Sequence, residues 1–342
     1  MDKIAINKFV SPLTEVEKIE LLQILNQGIT TDKVVGISNS LNRDRRIECP
    51  HCQSVEIYGH GQYRGRSRYK CRDCHKTFND HTGTAISGIK KISEFHSYLN
   101  LLIESVSIRK AAKKLDINMA TIFAWRHKLL SSLSEINGCK FNGIVECDDK
   151  QLNISEKGNK HLDREAYKRP SDRQTKRGIS SDKISVMVAT DRHKNPLMKV
   201  AKRGRIDVKS IEQTIGNHVD TENVLCSDAH QSIISWATSK NLEHHSFIAS
   251  KKQHVKDKCF HIQHVNSIDN RFERWQKQFY GFSTKYLQNY LNWFVFLEKI
   301  KAVYDKLAEL ARIMFGNKKA ILAFQNIKSE YLNLINPHFA KT

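Results

Sequence analysis

A chain of 342 residues exceeds one ordinary hydrophobic core, so two or three folded units are expected. Its 56 Lys and Arg against 36 Asp and Glu leave a net charge of +20, which is self-repelling unless a polyanion such as duplex DNA or RNA neutralises it. A hydrophobic fraction of 39% with only five prolines excludes a disordered chain, and no run approaches the ~20 apolar residues of a membrane span.

Residues 1–44 form a first segment. A helix is expected over 7–29, where Leu21, Leu22, Ile24 and Leu25 make an apolar stripe behind the acidic turn of Glu15, Glu17 and Glu20. The start, Met1-Asp2-Lys3-Ile4-Ala5, has no charged region followed by an apolar one, so no secretory signal is expected and a cytoplasmic location follows.

Residues 45–85 read as a zinc ribbon. Cys49-Pro-His-Cys52 and Cys71-Arg-Asp-Cys74 each place two thiolates on one tight turn, and two such turns complete a tetrahedral site. Four protein ligands leave no position for water, so this zinc is structural. The other cysteines, Cys139, Cys147, Cys226 and Cys259, are scattered, which is metal usage in a reducing compartment, not a disulfide framework. Short strands are expected at Ser54–Tyr58 and Ser67–Lys70, separated by Gly59, Gly61 and Gly65. Arg64, Arg66 and Arg68, interleaved with Tyr58, Tyr63 and Tyr69, suit contact with phosphates; a solvated face is the plainer alternative.

Residues 90–136 read as a helix-turn-helix. Ser107 to Leu115 is a short amphipathic helix with Ile108, Ala111, Ala112 and Leu115 on one face, and Asp116-Ile-Asn118 is the turn. The helix from Met119 to about Leu133 points Ile122, Trp125, Leu129 and Leu130 inward. Thr121, Ala124, Arg126 and Lys128 are then the expected groove-facing residues.

Residues 140–300 alternate β-rich and helical runs, the signature of a mixed α/β domain. Strands are expected at Gly143–Leu152, Ile184–Thr190, Pro196–Lys202, Asn223–Ser227 and His245–Ala249, with helices near 206–218, 230–240 and 261–279. Val145-Glu146-Cys147-Asp148-Asp149 and Val224-Leu225-Cys226-Ser227-Asp228 each place carboxylates at the end of an apolar strand, where an α/β sheet presents metal ligands. Such carboxylates suit two Mg²⁺ or Mn²⁺ ions that clamp a phosphodiester; strand-end turn aspartates are the alternative. A third ligand belongs on the helix crossing this edge, and Asn266, Asp269 and Glu273 all stand on it. The basic stretch from Ser155 to Lys183 reads either as a solvated loop or as one that orders on DNA. Residues 301–342 read as a helical tail.

The order CPHC, CRDC, KTFNDHTGT, SIRKAAKKL, AWRHKLL, VECDD, VLCSDAH, HVN and FYGFSTKYLQNYLNW, from about residue 45 to 298, resembles the zinc-ribbon insertion-sequence transposases of the fifteen-ninety-five family, in the wider DDE group. The resemblance implies an RNase H-like catalytic domain and Mg²⁺-dependent cleavage and joining at terminal inverted repeats. It places the first acid on Asp148, with Asp149 at the family's Glu position, the second on Asp228, and the third ligand on Asn266. In the family a Lys commonly follows this Asn by seven residues. Here that position is Glu273, which leaves Arg271 or Arg274 as substitutes, Glu273 as a further metal ligand, or a decayed element. The implied partner is double-stranded DNA, transposon end and target, and two ends brought together imply a homodimer or higher synaptic oligomer in a nucleoid-associated protein. A regulator without catalysis and a nuclease that cuts without joining are the competing readings.

Overall fold

A computed structural model describes residues 10–14, 17–18, 48–63, 65–162, 165, 183–248 and 255–336. The helix expected over 7–29, Arg64, and the basic stretch beyond residue 165 lie outside the described residues, the first of them almost entirely. The chain forms two compact units, residues 1–132 with 304–321 and residues 133–303 with 322–342. The residues read as a separate tail therefore divide between the two. Among the described residues no helix is long and apolar enough to cross a membrane.

In the first unit, β1 (Ile57–Tyr63), β2 (Arg66–Cys71) and β3 (Thr77–Phe78) form an antiparallel sheet. Gly59 and Gly61 do not interrupt β1 as expected. They sit inside it, where the register shifts between Gly59 and Gln62 and Gly61 takes φ +71°, a conformation that only glycine adopts without strain. The core cluster of the ribbon, among the described residues, is small: Cys49, Cys71 and Phe78 are buried, with Ile57, Tyr69 and Cys74 packed against them.

Three helices follow: α1 (Ile92–Ile103), α2 (Ile108–Leu115) and α3 (Met119–Ser132). The Ser107 hydroxyl accepts from the Lys110 N–H at the start of α2, and Asp116 ends it in the left-handed conformation at φ +50°. The Asn118 Oδ1 then accepts the Ala120 N–H at 2.8 Å and starts α3. Ala111 and Ala112 are small enough for α2 to approach α3 closely, and Ile122, Trp125, Leu129 and Leu130 are buried as expected.

The second unit holds a five-stranded sheet of β4 (Ile144–Asn153), β5 (Lys183–Asp191), β6 (Leu197–Arg203), β7 (Val224–Asp228) and β8 (Glu243–Phe247), in the order β6-β5-β4-β7-β8. The first three strands form an antiparallel meander, and β7 and β8 add in parallel on the other side of β4. This is the RNase H-like arrangement. Helices α4 (Val208–Ile215) and α5 (Gln231–Ser239) cover one face through Ile211, Ile215, Ile233 and Trp236, packed on Val145, Cys147, Met187 and Leu225. Helices α6 (Gln263–Lys277) and α7 (Leu287–Lys299) cover the other through Val265, Ile268, Phe272, Leu291 and Phe294, packed on Ile184, Val186 and Val188. The alternation along a strand assigns the odd residues of β4, Val145 and Cys147, to the first face and the even ones, Glu146, Asp148 and Lys150, to the α6 side. Helices α8 (Lys306–Gly316) and α9 (Ala320–Ile335) complete the described chain.

Candidate active site

Two neighbouring strands bring the first two acids together. Strand β4 pairs in parallel with β7 from Ile144↔Val224 to Cys147↔Ser227, so Asp148 and Asp228 occupy the next level on both. Asp148 and Asp149 end the apolar run but not the strand, because β4 runs on to Asn153 against β5, close to the expected limit at Leu152. They lie where the parallel pairing with β7 stops, and there the sheet opens. Oxygen atoms of Asp148, Asp149 and Asp228 all approach within 4.8 Å of one another.

The environment of Asp148 and Asp149 opposes ionisation. Burial, then the neighbouring Asp228 and Asp269, push the Asp148 carboxyl up to about 7. Burial raises Asp149 as well, although Gln151 donates to its Oδ2 at 2.5 Å and is itself held near the Ser185 hydroxyl at 2.7 Å. Asp148 Oδ1 accepts the Asp149 N–H at 2.8 Å, and Asp228 Oδ1 accepts the His230 N–H at 3.1 Å. These bonds aim the carboxylates without neutralising them. An all-oxygen donor set of clustered, charge-frustrated carboxylates fits a hard divalent cation such as Mg²⁺ or Mn²⁺.

Helix α6 is fastened along β4 at two points. The buried Glu146, 1% exposed, accepts the backbone N–H groups of His264 at 2.8 Å and Val265 at 3.0 Å, which are orphan donors of the first helical turn. Lys150 donates to Glu273 at 2.8 Å at the other end. From Glu146 to Lys150 the strand advances roughly 13 Å. From 264–265 to 273 the helix also advances about 13 Å. The two rise together, so the level of Asp148 falls close to residue 269.

Asp269 stands there, half-buried, with its Oδ1 buried and without a hydrogen-bond partner. Burial is also the first cause that raises its carboxyl, to about 6. Asn266 is exposed, one turn nearer the helix start. Glu273 is taken up by Lys150. Arg271, a candidate substitute cation, is instead held by Glu298 at 2.8 and 3.0 Å and by Ser267 at 2.5 Å. Arg274 is exposed.

Glu146 is a residue that sequence reasoning passed over. Besides capping α6 it contacts the Arg192 guanidinium, and His264 Nδ1 lies 2.7 Å from it. His261 lies 3.3 Å away. Glu146, His261 and His264 converge closely enough to resemble a metal-ligand set. Arg192 occupies the space among them, hydrogen-bonding near His264 at 2.5 Å and donating to the Cys259 carbonyl at 2.8 Å. The charge of Glu146 is therefore already met by a cation, and the cluster acts as an anchor. Glu146→Ala strands Arg192 and two helix N–H groups, and is expected to destabilise the protein by about 3–5 kcal/mol. Chemical denaturation checks this, and a loss under about 1 kcal/mol would show that α6 is held by its apolar face alone.

In the first unit the cysteines converge as expected. Cys49 Sγ lies 3.5 Å from Cys74 Sγ, Cys52 Sγ lies 3.5 Å from Cys71 Sγ, and all four approach within 4.8 Å. Tetrahedral ligation at about 2.3 Å separates sulfurs by about 3.8 Å, so the set fits zinc. Backbone N–H groups of Cys74 and Asp73 hold the Cys71 thiol down to about 7, which favours the thiolate that zinc requires.

The expected DNA-facing residues fare unevenly. Arg126 is not on the surface of α3: it is 0% exposed, donating to Tyr98 Oη at 2.8 Å and to the Val106 carbonyl at 2.5 Å. An arginine one residue after the buried Trp125 falls on the core edge of the helix, and its planar fork fastens α1 to α3. Lys128 is half-buried and bound to the Ser87 carbonyl at 3.0 Å. Thr121 and Ala124 are partly exposed. Arg66 pairs with His81 and Arg68 donates to Thr77 Oγ1 at 2.9 Å, so both brace the ribbon, while Arg72 is exposed and stacks over Tyr58 at 5.1 Å.

Residues 140–298 match a family described as the ISXO2-like transposase domain. The chain is 28% identical over 151 residues to a Halobacterium salinarum protein described as an uncharacterized protein in transposable element ISH50, covering 43% of this chain and 50% of that one. It spans half the length of that relative. It is 35% identical over 79 residues to the insertion element iso-IS1N protein InsA of Shigella dysenteriae, covering 22% of this chain and 82% of the relative. Among solved structures, that of a pre-cleavage Mos1 transpososome is similar with a TM-score of 0.25 and 9% identity, over 68% of this chain and 78% of that one.

Proposed function

We propose, from the premise that the chain belongs to the ISXO2-like transposase family, that it cuts and joins DNA at the ends of its own insertion sequence with divalent cations held by Asp148, Asp228 and Asp269. One observation carries the reading: Asp148 and Asp228 stand at matching levels on adjacent parallel strands, with helix α6 fastened beside them. Bound Mg²⁺ or Mn²⁺ supplies Lewis-acid activation of a water and of the scissile phosphate, and then of the freed 3′-hydroxyl. Asp148 and Asp228 bind the cations and fix the line of attack. Glu146 and Lys150 hold α6 so that its acid faces them. No covalent link to the enzyme is required.

The third ligand in this reading is Asp269, not the Asn266 that the family resemblance selects. It is the residue at the level of Asp148, it brings a charge, and its buried oxygen has no other partner. Asp269→Ala is expected to lower metal-dependent cleavage at least about a hundredfold, and Asn266→Ala less than about fivefold. The opposite ranking in a nicking assay on labelled element-end DNA would restore Asn266.

The zinc ribbon and helix-turn-helix supply the end-binding part, with zinc held by Cys49, Cys52, Cys71 and Cys74 and the +20 charge drawing the phosphate backbone. The partner is double-stranded DNA, and joining two ends calls for at least a homodimer. A regulator that only binds DNA leaves the frustrated carboxylates without a purpose.

A further inference from the structure

The second helix of the helix-turn-helix carries an unusual surface. Of its fourteen residues, only Met119, Ala120 and Phe123 are exposed, and all three are apolar. Met119 is 51% exposed and Phe123 37%, one helical turn apart on the same face. The polar side chains usually assigned to base reading are committed elsewhere: Arg126 to Tyr98 and Val106, Lys128 to Ser87. His127 is buried.

Helix α2, which packs against α3, exposes Arg109, Lys110, Lys113 and Lys114. Four cations on the helix that precedes this apolar strip repel a second copy of the same surface and attract a polyanion. In the major groove, guanine, adenine and cytosine are distinguished by hydrogen bonds, whereas thymine presents a methyl group to apolar side chains. In a helix-turn-helix the first helix crosses the phosphate backbone while the start of the second enters that groove.

We propose that Met119 and Phe123 read thymine methyl groups in the major groove of the element end, with the α2 cations gripping the flanking phosphates. The inference rests on the chain being a DNA-binding transposase, as above. It assigns base selection to shape and apolar contact, with Thr121, partly exposed at the edge of the strip, adding its own methyl.

The test isolates the methyl group. The full-length chain is titrated against the terminal duplex of its element, synthesised either with thymine or with deoxyuridine at every thymine position. The two duplexes have the same phosphates and differ only by the methyls. The wild-type chain is expected to bind the uracil duplex about tenfold more weakly, as for two methyl groups left unburied, with an unchanged salt dependence. Met119→Ala/Phe123→Ala should bind both duplexes alike, at the level of the wild type on uracil, and Phe123→Leu should regain part of the preference. Equal wild-type binding to both duplexes overturns the thymine assignment while leaving end binding intact. Failure to bind either duplex overturns the DNA-binding reading together with it.

Discussion

Asp148→Ala and Asp228→Ala are each expected to lower Mg²⁺-dependent cleavage and strand transfer by about a thousandfold or more, while affinity for the element-end duplex should change less than about threefold. The magnitude follows from what these groups do. In the proposed mechanism they would hold the divalent cations, and no neighbouring side chain at their level on β4 and β7 replaces a lost carboxylate except Asp149, which is already bonded to Gln151. Electrophoretic binding and nicking assays on the same labelled duplex separate the two effects. Retention of cleavage by either variant would remove that residue from the metal site.

The same site sets a pH dependence. In the metal-free protein Asp148 keeps its proton up to about 7, whereas the unfolded chain releases it in the ordinary carboxylate range. Its contribution to stability is therefore present at low pH and lost as pH rises through about 7. A cation must displace that proton, so Mg²⁺ or Mn²⁺ affinity should climb with pH and level off above about 7. Calorimetric titration on both sides of neutrality checks the sign, and an affinity independent of pH would mean that Asp148 is ionised before the metal arrives.

Local pattern carried much of this architecture. The five strands of the RNase H-like sheet are legible because their apolar runs are bounded by turn residues, and each falls within two residues of its expected limits. Helices α2 and α3 are legible because Ser107 and Asn118 are cap residues in front of apolar periodicity. What was not legible depends on non-local geometry. Arg126 is an arginine on a basic chain and reads as a DNA contact until the Tyr98 hydroxyl, 28 residues away, is placed beside it. The choice among Asn266, Asp269 and Glu273 is a question of register between a helix and a strand more than 100 residues apart, on which the contacts of Glu146 and Lys150 with α6 bear. One signal was available. Glu146 precedes Asp148 by two residues and shares its face of β4, so a charge facing the same helix needed a partner.

The second large effect is expected in the ribbon. Replacing Cys49 and Cys52 by Ser, or stripping zinc with a chelator, should unfold residues 48–80 and weaken end binding by an order of magnitude or more. Three buried side chains, Cys49, Cys71 and Phe78, cannot offset the conformational entropy of ordering some thirty residues, and two of the three are themselves ligands. Zinc binding would supply the deficit, since a structural zinc site contributes about 10–16 kcal/mol to folding near neutral pH. The contribution falls as pH drops, because protons compete for the thiolates. Metal content of one zinc per chain, lost in the double variant together with protection of the β1–β2 amides from exchange, is the expected result. A zinc-free double variant that keeps full end affinity would remove the ribbon from DNA recognition and leave that work to the helix-turn-helix.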